Sequence, residues 1–135
     1  MIGLDTNVLV RYVTQDDPEQ SPLATRLIES LDATNQGFVS LAVLVELHWV
    51  LRRAYRVNRT DAAAVVRKLL IAEELVLQEP EAVHRALTWL GDDIDFPDAL
   101  ISELGALADC SHTVTFDAKA ADLSGMKLLS ADSAG

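Results

Sequence analysis

Read from its amino terminus, the chain alternates short apolar bursts with longer stretches whose apolar residues recur every three or four positions. The bursts predict strands and the recurrent stretches predict helices, because side chains return to one face every second residue in a strand and every ~3.6 residues in a helix. "IGL" at residues 2–4 is the first burst, and residues 7–13 predict a helix or turn capped by Asp5 or Thr6. In "DDPEQSPLATRLIESLDA", Pro18 and Glu19 suit a first turn, and Leu23, Leu27, Ile28 and Leu31 fall at helical spacing. "GFVS", opened by Gly37, is a strand candidate, and "LAVLVELHWVLRRAY" has the length and composition of a buried helix. "NRTDAAAVVRKLLIAEE" predicts a helix with Thr60 or Asp61 as its cap, and "LVLQ" predicts a third strand.

"EPEAVHRALTWLGDD" predicts a further helix, and Pro97 suits the first position of the next, "PDALISELGALADC". "HTVTFD", alternating and β-branched, is the strongest strand signal in the chain. A short helix at 118–123 and the burst "MKLLSA" close the pattern. Strands alternating with helices predict an α/β layered fold with a mainly parallel sheet. No repeat, low-complexity run or linker interrupts it, so residues 1–130 are expected to form one domain, with 131–135 a C-terminal tail.

In open parallel sheets, ligands bind beyond the carboxyl ends of the strands. Three predicted strands end in polar residues there: Asp5, Ser40 and Asp117. Like charges at neighbouring strand ends are costly unless a cation neutralises them. Glu46 shares a helix face with Ala42, Val43, Trp49 and Val50, which leaves it either buried with a partner or on a mixed edge. Asp98 falls in the first turn of the helix opened by Pro97, where an acid is also favoured by the helix dipole, and Asp95 is a plausible cap.

Composition narrows the classes. At 135 residues, half of them apolar, the chain is long enough for one real core. Its apolar runs are shorter than the roughly 20 residues of a membrane span and no basic leader opens it, so a soluble, cytoplasmic protein is expected. The single cysteine, Cys110, excludes an internal disulfide and, with His48, His84 and His112, makes no thiolate zinc site. A net charge of −10 repels nucleic acid on average, so a nucleic-acid substrate requires a local basic patch or bound cations. Arg52, Arg53, Arg56 and Arg59, close behind Glu46, offer such a patch or else a solvated helix end.

The stretches "LDTNVLVR", "SLAVLVELHWVL", "DFPDALISELG" and "TVTFDAKAADLSG" resemble, in order and spacing, the motifs of PIN-domain ribonucleases, most closely the VapC toxins of type II toxin-antitoxin systems. That resemblance implies a three-layer α/β/α domain and an acidic quartet at Asp5, Glu46, Asp98 and Asp117. It implies one or two ions of Mg²⁺ or Mn²⁺ on the quartet, with Asp5 and Asp117 as ligands, Asp98 bridging or binding through water, and Glu46 a ligand or water orienter. Asn7, Ser40 and Thr115 match small polar positions that orient carboxylates or water, and capping near Asp5 is left to Thr6 or as a by-product. Some relatives carry another acid just after the last aspartate, where this chain has Lys119 before Asp122. The implied function is endoribonuclease, with an RNA substrate, a cognate VapB-type antitoxin and a homodimeric state. The alternative is a PIN-like module that binds RNA or a partner without catalysis. Aspartyl-phosphate phosphatases and receivers fit less well, since Asn7 stands where the former need a second acid.

Overall fold

The structure, a computed structural model, describes residues 1–91 and 93–131. The chain divides into two compact units, Met1–Pro80 and Glu81–Gly135. In the first, the predicted bursts become β1 (Ile2–Gly3), β2 (Gly37–Val39) and β3 (Leu75–Leu77), a sheet in the order β1-β2-β3. All its pairings are parallel, with Ile2 opposite Gly37 and Phe38 opposite Val76. Parallel neighbours need crossover connections, which are α1 (Thr6–Thr14) with α2 (Gln20–Ser30), and α3 (Leu41–Arg53) with α4 (Arg59–Ile71). Leu9, Val39, Leu44, Leu47 and Val66 are wholly buried, each contributing roughly 1.5 to 3 kcal/mol of apolar burial.

Local chemistry fixes the boundaries. Helix α1 stops at Gln15, whose left-handed backbone (φ 53°) lets its N–H reach the Arg11 carbonyl at 3.1 Å. Helix α2 begins later than Pro18 and Glu19 suggest, because the Asp17 carboxylate takes the N–H groups of Glu19 and Gln20, at 2.9 and 2.7 Å. Neither Thr60 nor Asp61 caps α4. Asn58 does, its Oδ1 accepting the Asp61 N–H at 2.8 Å, and Asp61 sits in the first turn. Gly37 is the tightest point of the sheet: a β-carbon there would meet Leu4, Leu31 and Leu75 at 2.8, 2.9 and 3.1 Å.

The second unit carries α5 (Pro80–Thr88), α6 (Phe96–Leu107), β4 (Thr113–Thr115), a 3-10 turn at Ala120–Asp122 and β5 (Met126–Leu128). Strands β4 and β5 pair in parallel as a two-stranded sheet, Thr113 opposite Met126. The helix predicted through residue 93 ends at Thr88, whose hydroxyl donates to the Arg85 carbonyl at 2.6 Å; Asp92 and residues 132–135, most of the predicted tail, lie outside the described residues. Helix α6 starts at an N-cap Asp95 that makes no side-chain capping bond, and closes by the Cys110 N–H on the Gly105 carbonyl at 3.0 Å. Gly105 lets α6 approach β4, since a β-carbon there would collide with the Thr113 hydroxyl. "HTVTFD" does form a strand, yet its Val114 and Phe116 are exposed.

Candidate functional site

In the first unit, three strands end side by side and each passes the chain to a polar residue. Continuing the register of Gly3 with Phe38 and Val39 with Leu77 sets Asp5, Ser40 and Gln78 in one row beyond the carboxyl edge. The Leu4 N–H to Phe38 carbonyl and Gln78 N–H to Val39 carbonyl bonds, both 2.9 Å, hold that alignment. Asp5 is the N-cap of α1: its backbone is extended and Oδ1 accepts the Thr6 N–H at 2.7 Å. The cap therefore falls to Asp5 and not to Thr6, which already lies inside the helix and is buried. Ser40 caps α3, its Oγ accepting the Val43 N–H at 3.2 Å, while Gln78 Oε1 accepts the Leu41 N–H at 3.0 Å. Two helices thus point their positive ends at this edge, a setting that favours anions. Gln78 escapes sequence reasoning, although it stands after "LVL" just as Asp5 stands after "IGL".

Asn7 is exposed in the first turn of α1 and lines a cavity of about 280 Å³ with Arg11, Gln20 and Leu23 among others. Helix α3 turns Leu44, Leu47, His48 and Leu51 inward. Glu46 is consequently exposed, beside exposed Ala42 and half-buried Val43, Trp49 and Val50, so it takes the mixed edge and needs no buried partner. The arginines behind it divide. Arg52 donates from Nη1 to the Val57 carbonyl at 3.0 Å, Arg53 lies over the Trp49 ring at 4.5 Å, and Arg56 is exposed in the following turn with φ 54°.

A polar cluster in this unit binds the far end of α1. Arg11 donates to Gln20 Oε1 at 2.8 Å, to Asp16 Oδ1 at 3.2 Å and to Tyr55 Oη at 3.3 Å. Tyr55 donates in turn to Asp16 Oδ2 at 2.6 Å, and the Thr14 hydroxyl to Oδ1 at 2.7 Å. The Tyr55 and Thr14 hydrogen bonds, helped by the Arg11 charge, hold the Asp16 carboxyl down at about 2.

In the second unit, Asp98 occupies the first turn of α6 and is half-buried. Asp117 follows β4 and is exposed; its Oδ1 accepts the N–H groups of Lys119 and Ala120, at 2.9 and 3.3 Å. Thr115 acts on the backbone of that residue, its hydroxyl accepting the Asp117 N–H at 3.0 Å. Asp5 and Asp117 are therefore built alike. Each stands two residues past a strand, and the Oδ1 of each accepts from backbone N–H just downstream, Thr6 for Asp5 and Lys119 and Ala120 for Asp117.

The four acids are oxygen donors, which suit a hard divalent cation far better than zinc or copper. Each unit carries two of them, Asp5 and Glu46 in the first, Asp98 and Asp117 in the second. Among the described residues, no group of three or more His, Cys, Asp or Glu is arranged to hold a metal ion. His48 is buried edge-on to Trp49 and Cys110 is exposed.

Compared with known proteins, the chain matches the family model of the PIN domain over residues 2–126. Among solved structures it is similar to VapC20 of Mycobacterium tuberculosis, described as a toxin that cleaves the sarcin-ricin loop, at 20% identity and a TM-score of 0.46, covering 95% of this chain and 98% of that one. No curated protein matches it.

Proposed function

Because this chain belongs to the PIN-domain family, we propose that it is a divalent-metal-dependent endoribonuclease and the toxin of a VapBC-type pair. Its fold is the three-layer α/β/α class of that family, with strands paired in parallel. The observation that carries the functional reading is that the family match spans all four acids of the quartet, Asp5, Glu46, Asp98 and Asp117. The matching construction of Asp5 and Asp117 supports it, since both spend Oδ1 on backbone N–H groups. Asp5 and Asp117 would hold Mg²⁺ or Mn²⁺, with Asp98 and Glu46 completing the site directly or through water. When bound, such an ion activates water and neutralises charge in phosphodiester hydrolysis. Ser40 and Thr115 steady the backbone around the acids, and Asn7, two residues after Asp5, takes the role of orienting carboxylate or water. The partners are an RNA substrate, a cognate VapB-type antitoxin and a second copy of the chain, in the cytoplasm.

The test is RNA cleavage with Mg²⁺ or Mn²⁺, with chelator, and by Asp5→Asn and Asp117→Asn. We expect chelation and either substitution to reduce cleavage at least a hundredfold, with Mn²⁺ binding seen by calorimetry in the wild type and weakened in both variants. Cleavage at the wild-type rate by a folded Asp5→Asn protein would sink the metal assignment. RNA binding without any cleavage would leave the non-catalytic module as the better reading.

A further inference from the structure

Glu46, Trp49 and Arg53 are three and seven residues apart on α3, so they run along one stripe of the helix. Glu46 and Arg53 are exposed and Trp49 is half-buried. The Arg53 guanidinium lies over the indole, 4.5 Å from the ring centroid. The indole is itself braced by buried His48, the two rings edge-on at 4.9 Å and 81°. Neighbouring Arg52 is engaged with the Val57 carbonyl. Arg53 is thus a cation already seated over an aromatic ring, while the residue remains open to solvent. Ordering such a side chain ordinarily costs binding energy, and here part of that ordering is already done.

Arginine planes and aromatic rings are what unpaired RNA bases stack upon, and such stacking needs no favourable net charge. In a chain of net charge −10, that distinction matters, because tracking phosphates along the backbone works against the overall field. We infer that Trp49 and Arg53 form a nucleobase-stacking subsite for single-stranded RNA. The inference rests on the ribonuclease reading and names where on α3 the substrate is gripped. Seven residues of helix put Arg53 about 10 Å along the axis from Glu46. The subsite therefore holds a base flanking the bond that is cut, and Trp49 and Arg53 act on substrate affinity and not on the chemical step.

The experiment titrates a short fluorescein-labelled single-stranded RNA of mixed sequence into Asp5→Asn protein, which leaves the RNA intact, and reads anisotropy. Tryptophan emission is followed in parallel with Trp89→Phe added, which leaves Trp49 as the reporter. Binding should quench Trp49 emission, and Arg53→Ala and Trp49→Leu should each weaken binding about tenfold, with Arg53→Lys and Trp49→Phe between them and the parent. In protein with Asp5 restored, Arg53→Ala should raise KM for RNA several-fold and leave kcat within about twofold. RNA binding and cleavage that are indifferent to both Trp49→Leu and Arg53→Ala overturn the subsite while the ribonuclease reading stands. Absence of RNA binding in the Asp5→Asn protein together with absence of cleavage in protein with Asp5 restored overturns the two together.

Discussion

At the scale of single residues, Asp5 caps α1, and in the function proposed above it also binds the metal, two jobs that substitution separates. Asparagine caps a helix as well as aspartate does, whereas alanine at an N-cap costs about 1 kcal/mol. Asp5→Asn is therefore expected to keep the thermal midpoint of the wild type while losing cleavage, and Asp5→Ala to lose both; circular dichroism melts beside a cleavage assay read the difference. A different carboxylate contributes to stability against acid, beside Asp17 and Asp32, which are also held below the ordinary range by backbone and hydroxyl hydrogen bonds. Asp16 lies at about 2 in the folded chain, against an ordinary value of 3.8. A depressed carboxyl stabilises the fold above its unfolded pKa and loses that contribution as pH falls through its folded one. Thermal midpoints should therefore fall as the pH is lowered from about 5 to about 2, and Asp16→Asn or Tyr55→Phe should flatten that limb, because the hydrogen bond from Tyr55 is the main cause of the shift.

At the scale of elements, Gly37 is the position where β2 has no room to grow. A methyl group there presses on three buried leucine ends at once, and overpacking of this kind costs about 1 to 3 kcal/mol. Gly37→Ala should lower the urea midpoint accordingly, and an unchanged midpoint would mean that Leu4, Leu31 and Leu75 repack freely. Most helices and the three short strands of the first unit were legible because apolar residues recur at helical spacing in the former and gather in short bursts in the latter. What periodicity left open was the inward face of α3, a helix apolar on nearly every side; only packing chooses Leu44, Leu47, His48 and Leu51 and so pushes Glu46 outward. Caps were misread for a related reason. Asn58, Thr60 and Asp61 are all competent capping types, and the backbone path decides among them. The candidate acids were legible through family motifs, while the way Asp5 and Asp117 hold their carboxylates depends on turns that motifs do not describe.

At the scale of the whole molecule, the family match runs from residue 2 to residue 126 and so crosses both compact units. We propose that residues 1–130 unfold as one domain, which calorimetry reads as a single transition with equal calorimetric and van't Hoff enthalpies; two resolved transitions would make the units independent. The capped strand end at Asp5 carries a consequence for heredity. Asp5→Asn takes a single-base change in an aspartate codon, and by the capping argument it leaves the protein folded. Under the toxicity proposed above, cells forced to express the chain would survive by silencing it at the least disruption. Surviving clones should then collect soluble, full-length protein carrying Asp5→Asn as well as frameshifts, so that the chain's own escape spectrum would map the residues on which its chemistry depends.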